Sequence, residues 1–363
     1  MKAGRKQLLS AVAEQVLQHR AELLDALVGV ETYRTACTEL DWTLTALEAA
    51  EHRVAWLDER DPIGTVYASV PATMPVYSFV LFALSPAAVG NRVIARAASA
   101  SRPCARLVNE LAAKAGAAVE MTDAPWEDFA AGACAEADGV VFAGSASHIR
   151  AFDERLPADT HFIGQGPGVS AAIVTEDADV ELAARTINAT RLFNSSQDCL
   201  ATERVYIADQ VYDAFVDSLL AHAETVVLGD NANPGTELGP LLIPDAAPAW
   251  YDRLPELGRV LRKGTAPDDR LYDLAIVETT WDSPVVLEET FCPLLPLVRY
   301  EGRRELHRCS PPATSRSQRP SSVTRGRPEP PTSPMSPSTS RSITSKTPGH
   351  PSDSVMVTSL CSW

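Results

Sequence analysis

Between residues 64 and 145 the chain alternates short β-branched runs with helical stretches, and this alternation restricts the possible folds more than any other feature. "GTVYASV" (64–70), "NRVIARAA" (91–98), "AAVEMTD" (117–123) and "DGVVFAGS" (138–145) read as strands. The stretches between them, "PVYSFVLFALSPAAVG" (75–90), "RPCARLVNELAAKAG" (102–116) and "EDFAAGACAEA" (127–137), read as helices. Parallel neighbours need a long crossover, so strands separated by helices of this length predict an α/β fold with a mainly parallel, doubly wound sheet. Such sheets bind ligands at the carboxyl ends of their strands.

The flanking segments extend this plan. Leu8, Leu9, Val12, Val16, Leu23 and Leu27 lie on one stripe and predict a helix over 4–29, followed by a second helix to about residue 56. A second α/β series begins at "VSAAIV" (169–174). Asp177 or Asp179 caps a helix running to about Phe193, and "ERVYIAD" (203–209) is a strand. "QVYDAFVDSLLAHAETV" (210–226) is a helix, with Val211, Phe215 and Leu219 four residues apart. "VVLEETFCPLLPLVRY" (285–300) reads as strand, tight turn and strand. These signals give a first domain over 1–168 and a second over 169–301.

At Gly302 the composition changes. Residues 302–363 hold 15 Ser, 10 Pro and 7 Thr, and nine Lys and Arg against three acids, whereas the whole chain has a net charge of −15. A segment with no apolar period cannot bury a core, so 302–363 is expected to be disordered. Such a reversal of charge just after a regular strand is what a shift of reading frame produces; a genuine Ser/Pro-rich extension is the alternative.

Charge and cysteine usage bound the function. A chain at −15 has no electrostatic support for nucleic-acid binding. The N-terminal "MKAGRKQLLSAVAEQVLQHR" is amphipathic and carries charges inside each apolar run, unlike a signal peptide or membrane span. Seven scattered cysteines predict no disulfide framework, and seven histidines without ligand spacing predict no structural metal. The expected location is the cytoplasm.

One cysteine stands apart. Cys199 lies in the polar turn "NSSQDCLAT" (194–202), after a helix end and before a strand. A lone cysteine most often packs as a small hydrophobe. A nucleophilic thiolate instead needs an exposed, oriented position of this kind.

The surrounding words weigh for the nucleophile. "FNSSQDCLATERVYI" resembles the active-site segment of the aldehyde dehydrogenase superfamily, F-x-N-x-G-Q-x-C-x-A-x-x-R. Phe193, Gln197, Cys199, Ala201 and Arg204 match in order, while Phe and Asn are adjacent here and Ser196 replaces the glycine. "PIGTVYASVPATMPVYSFVLFALSPAAVGNRVIARAAS" resembles the opening of the family's cofactor domain, and "VVFAGSASHIRA" its F-T-G-S turn. "FIGQGPGVSAAIVTEDADVELAA" resembles E-L-G-G-K-S-P-x-I-V-x-x-D-A-D, and "EETFCPLLPLVRY" resembles E-x-F-G-P. The five segments lie in family order over about 60–301, and the 34 residues from Gln165 to Cys199 fit the family spacing.

The resemblance implies a Rossmann-like cofactor domain followed by a second α/β domain that carries the thiol. It also implies NAD(P)-dependent oxidation of an aldehyde through a cysteine hemithioacetal and thioester. Carried over position by position, Cys199 is the nucleophile. Thr73 stands where the family has its oxyanion-binding asparagine, and Gln165 where it has the general base. Gln cannot take a proton, and a positioned base is worth roughly 10²–10⁴ in rate. Gln165 therefore favours a member that passes the acyl group to a thiol such as coenzyme A, or one that processes an acyl thioester, or a catalytically impaired relic.

For the cofactor, Arg96 stands where a lysine meets the ribose, and Ser99 where an acid often binds the 2′-hydroxyl. An Arg without that acid suits the 2′-phosphate of NADP at least as well as NAD. Gly144 and Ser145 end a strand and open a helix, a seat for phosphate. Glu289 matches the ribose-binding glutamate and Phe291 the aromatic beside the nicotinamide ribose; Cys292 replaces a glycine and is expected to be strained if that turn needs φ > 0. Family members are homo-oligomers whose last strand joins a partner's sheet. Nothing after Gly302 matches that segment, so assembly is expected to be impaired and a sheet edge left bare.

Overall fold

The computed structural model describes residues 2–57, 61–302, 304–306, 323–325 and 356–358. The chain divides into two compact units, residues 1–166 with 321–330 and residues 167–320 with 331–363.

In the first unit, α1 (Lys2–Gln18), α2 (Arg20–Leu27) and α3 (Tyr33–Leu57) precede the alternating series. The helix expected over 4–29 is interrupted at His19, whose backbone leaves the helical region at φ −105°, ψ 22°. The series is β1 (Thr65–Val70), α4 (Pro75–Phe79), a π-helical turn (Val80–Leu84), α5 (Ser85–Ala88), β2 (Arg92–Ala97), α6 (Arg102–Lys114) and β3 (Val119–Met121). It continues with α7 (Trp126–Glu136), β4 (Gly139–Ala143), α8 (Ala146–Asp153) and β5 (His161–Gln165). These five strands are parallel in the order β5-β4-β1-β2-β3.

Period-two alternation puts helices on both faces of this sheet. Val66, Ala68, Val70, Val93 and Ala95 share one core with Leu9, Val12, Val16, Leu23 and Leu27, the stripe read from the sequence. Tyr67, Ile94, Phe142 and Phe162 face the other way and pack with Phe129 and Phe152. Strand order reverses between β1 and β4, so the carboxyl ends of these two strands flank the topological switch point where α/β sheets bind ligands.

The second unit contains β6 (Ser170–Val174), α9 (Val180–Leu192), β7 (Thr202–Ala208), α10 (Tyr212–Glu224), α11 (Ala247–Tyr251) and α12 (Leu254–Leu257). It goes on through β8 (Arg259–Arg262), β9 (Ala275–Thr279), α13 (Pro284–Leu287) and β10 (Leu294–Tyr300). β6, β7, β10 and β9 are parallel in that order, and β8 closes one side antiparallel. Of the two candidate caps, Asp179 is the one used: its side chain accepts from the Leu182 N–H at 3.0 Å. Residues 285–287, expected as strand, are instead helical in α13. Pro284 at the first helical position presets φ and needs no N–H partner there.

The tail supplies two short strands, β11 (Val323–Arg325) and β12 (Met356–Thr358). β11 runs antiparallel along Phe162–Gly164 of β5, and β12 antiparallel along Ala171–Ile173 of β6. β5 and β6 are therefore paired on these sides at these positions. The rest of the expectation of disorder over 302–363 lies outside the described residues, apart from Gly302 and residues 304–306. Among the described residues no helix is long and apolar enough to cross a membrane, and no group of three or more His, Cys, Asp or Glu could hold a metal.

Candidate active site

In the second unit the chemistry gathers at the amino ends of parallel strands. Gly168 lies just before β6, Cys199 just before β7, and residues 289–292 just before β10. β6 and β10 both pair with β7, so topology alone brings these three segments to one edge of the sheet.

The Cys199 loop is held in an unusual conformation. Asn194, Ser195 and Ser196 have φ of 51°, 52° and 66°, three successive left-handed residues without a glycine. Each costs of order 1 kcal/mol or more and persists only where the surroundings over-determine it. Here they do. Ser196 Oγ donates to the Arg191 carbonyl at 2.7 Å, Asn194 Nδ2 to the Gln197 carbonyl at 3.0 Å, and the Gly239 N–H donates to Ser195 Oγ at 2.9 Å. Gln197 is 1% exposed. Its Oε1 accepts from the Leu242 and Ile243 N–H groups at 2.8 and 3.0 Å, and its Nε2 donates to the carbonyls of Ile243 and Phe291 at 2.7 and 3.1 Å. The loop thus ends in an anchored amide, and two residues later Cys199 is exposed.

Glu289 and Cys199 meet the same glycine. Glu289 Oε1 accepts from the Gly168 N–H at 2.8 Å. A Cβ on Gly168 would lie 1.7 Å from the Cys199 carbonyl oxygen. The role of Gly168 escapes a sequence reading because "GQGPG" looks like any flexible turn; what it supplies is close approach of backbone to backbone. Gly168→Ala is expected to push the thiol loop aside and lower turnover by about 10²-fold, the scale of a misplaced reacting group. Steady-state rates beside thermal unfolding check this; an active Gly168→Ala chain would mean that the loop tolerates the shift.

The turn before β10 corrects one expectation. The left-handed residue is Phe291, at φ 51°, whereas Cys292 is not among the residues with positive φ. The Cys292 thiol is fully buried, and burial pushes its pKa up to about 12. Cys104 is buried as well, with its thiol also raised to about 12. Among the described cysteines Cys199 is the exposed one.

Beside the nucleophile position, burial raises the Asp198 carboxyl above the usual carboxylate range, partly opposed by the Leu200 N–H that it accepts. A raised folded-state pKa gives stability that is present at low pH and lost as pH rises through that pKa. Asp198→Asn keeps an acceptor for Leu200. It is therefore expected to melt higher than the parent at alkaline pH, with the gap closing in acid. Melting curves across pH check the sign, and a gap that widens in acid would reverse it.

In the first unit the candidates collect at the carboxyl ends of the strands. Thr73 lies half-buried in the bend after β1, next to left-handed Met74 (φ 50°). Gln165 is the last residue of β5, and its carbonyl accepts from the Gly144 N–H at 3.0 Å, which joins these two positions. Ser145 caps α8 by accepting from the His148 N–H at 3.3 Å, and residues 145–148 are exposed, so the helix N-terminus opens to solvent. Arg96 is half-buried near the end of β2; its Nε donates to the Ala124 carbonyl at 2.9 Å, and its guanidinium lies 5.9 Å from the Trp126 ring centre. Ser99 is exposed, with Arg102 Nη2 3.4 Å from its hydroxyl. An open helix N-terminus, a hydroxyl and two guanidinium groups at one sheet edge form a donor set that fits an anionic dinucleotide.

Residues 5–309 match the sequence model of the aldehyde dehydrogenase family. The chain belongs to the aldehyde dehydrogenase family. Geranial dehydrogenase of Castellaniella defragrans is 30% identical over 269 residues, covering 69% of this chain and 55% of that enzyme. Glutarate-semialdehyde dehydrogenase of Pseudomonas putida is 27% identical over 263 residues, 68% of this chain and 54% of that enzyme. The chain thus spans about half the length of these curated relatives. The crystal structure of an E. coli NADP-dependent enzyme has the same fold, with a TM-score of 0.78 at 21% identity over 84% of this chain and 70% of that one. The two mainly parallel sheets are therefore those of an aldehyde dehydrogenase fold.

Proposed function

We propose that this chain carries out NAD(P)-dependent oxidation of an aldehyde to its acid through a thioester on Cys199. The observation that carries the reading is the exposed Cys199 on a strained loop anchored by Gln197, with Glu289 tied to the same glycine. In this reading the Cys199 thiolate adds to the carbonyl carbon, forming a C–S bond and an alkoxide. The Cys199 N–H is assigned to donate to that oxygen, and Thr73 holds the position of the family's oxyanion-binding asparagine. A bound nicotinamide would supply the acceptor for the hydride that this carbon loses, and that loss leaves a thioester on Cys199. Water then adds to the thioester carbon and Sγ leaves as thiolate, releasing the acid. Glu289 and Phe291 are assigned to the nicotinamide ribose, Arg96 and Ser99 to the adenosine ribose or its 2′-phosphate, and Gly144–Ser145 to the pyrophosphate. Arg96 and Ser99 favour NADP, which is also named for the E. coli neighbour.

One observation favours a second reading. The side chain at the end of β5 is the amide of Gln165, which has no basic site for activating water. An acyl thioester that hydrolyses slowly can be passed to a thiol such as coenzyme A instead. Gln165→Glu is expected to raise acid release by about 10²-fold, the low end of what a positioned base contributes. Added coenzyme A is expected to speed the parent. Equal acid production by parent and variant, with acylation not limiting, would contradict the place given to Gln165.

An exposed nucleophilic thiol supports a reducing, cytoplasmic location. The pairing of β11 and β12 along the outer sides of β5 and β6 supports impaired homo-oligomer assembly, since strand addition there is blocked. Alkylation of Cys199 in the presence of NADP or NAD tests the central reading. Protection by NADP at concentrations no higher than those of NAD is expected. Binding of NAD about tenfold tighter, or 1.4 kcal/mol, would contradict the cofactor assignment, and no effect of either nucleotide would contradict the function.

A further inference from the structure

A buried charge pair lies behind the 289–292 turn. Arg191, on α9, is 0% exposed, and Glu203, on β7, is 1% exposed; Arg191 Nη1 donates to Glu203 Oε1 at 2.7 Å. Arg191 Nη1 also donates to the Thr202 carbonyl at 3.1 Å. Its Nη2 donates to Thr290 Oγ at 2.6 Å and to the Cys292 carbonyl. Glu203 Oε2 in turn accepts from both the Thr290 N–H and the Thr290 hydroxyl, each at 2.8 Å. The Thr290 hydroxyl therefore accepts from the cation, and of its two acceptors, Glu203 Oε2 at 2.8 Å and the Cys292 carbonyl at 3.5 Å, the shorter contact directs its proton to the anion.

Burying an ion pair is weak as a stability device, because desolvation offsets the attraction, and its best-attested use is to specify one arrangement. Here the arrangement is the turn. Apart from the bonds within the pair and to Thr202, its hydrogen bonds all go to residues 290 and 292. Those residues flank left-handed Phe291, a conformation a non-glycine residue keeps only when held from outside. Gln197 holds the Phe291 carbonyl from the thiol loop. We propose that Arg191, Glu203 and Thr290 are positioning residues that fix the 289–292 turn and so set Glu289 for the ribose of a nicotinamide dinucleotide. The proposal rests on the functional reading above for the ligand, and on the hydrogen bonds alone for the positioning.

Thr290→Val removes both hydroxyl bonds at nearly constant volume, and Thr290→Ser restores them. Thr290→Ala serves as the second removal variant if valine does not fold. The readouts are NADP affinity by quenching of tryptophan fluorescence, and the alkylation rate of Cys199 without cofactor. The valine or alanine variant is expected to bind NADP about tenfold more weakly, the scale of one lost hydrogen bond to charged partners. The serine variant is expected to regain parental affinity, and cofactor-free alkylation to stay unchanged in all three. Unchanged affinity in the removal variants, beside a parent that binds NADP, overturns the positioning role alone. A parent that binds no NADP overturns the functional reading and the ligand assigned to this turn with it. A serine variant as weak as valine points to packing and overturns the role of the hydroxyl.

Discussion

Cys199→Ser should leave the chain folded and lower aldehyde-dependent NAD(P) reduction by about 10⁴-fold or more, the loss that follows removal of a covalent nucleophile. The side chain is exposed, so exchanging sulfur for oxygen removes little packing, and the melting temperature should barely move. Cys104 and Cys292 cannot take over: both are buried, with thiols raised to about 12. Steady-state reduction beside a melting curve reads both effects. Parental turnover in the serine variant would move the chemistry to another residue.

Glu203→Gln should cost about 3–5 kcal/mol of stability, because it leaves Arg191 charged and buried without its counter-ion. The substitution changes almost no volume, so the loss reads the charge rather than the packing. Replacing both partners by methionine should recover much of that loss, since an apolar pair leaves no buried charge behind. Urea midpoints of the single and double variants decide. A single variant within about 0.5 kcal/mol of the parent, the range of ordinary surface changes, would mean that Arg191 is solvated after all.

Four strands of the first sheet could be read from the sequence because period-two runs of Val, Ile and Ala alternate with helical stretches; β5, inside "HFIGQGPG", was not read as a strand. Each run of that kind before residue 145 became a parallel strand of the first unit. The helix cap at Asp179 and the apolar stripe of α1 and α2 were legible for the same reason: each follows from a local rule about spacing. β8 and β9 were not, being four and five residues long in a segment without a sustained period. α13 was misread because Val285 and Val286 suggest strand, and the start signal at Pro284 outweighs them. β11 and β12 were lost in composition, since an average over a Ser/Pro-rich tail hides three-residue runs such as "MVT".

The candidate site shows the same division. Cys199, Gln165, Thr73 and Glu289 were legible as positions in motifs; Gln165 and Thr73 lie at the carboxyl ends of strands in the first unit, where an α/β sheet binds ligands, and Cys199 and Glu289 at the amino ends of strands in the second. What holds them was not. Arg191 and Glu203 are twelve residues apart and look like solvated charges, and only the crossing of α9 over β7 makes them a buried pair. Left-handed backbone at Ser196 and Phe291 was also hidden, because neither is a glycine. Hydrogen bonds from distant segments, rather than residue type, sustain these conformations.

The central claim is that an acyl group passes through Cys199. Its most direct test is the intact mass of the chain after rapid mixing with an aldehyde and NADP, followed by acid quench and mapping of the modified peptide. With glutamine at position 165, the account predicts an acyl adduct that accumulates on Cys199 in step with a burst of reduced cofactor. It also predicts no adduct in Cys199→Ser and faster decay of the adduct in Gln165→Glu. Reduced cofactor formed without any mass increase at Cys199, and at the same rate in Cys199→Ser, would contradict it.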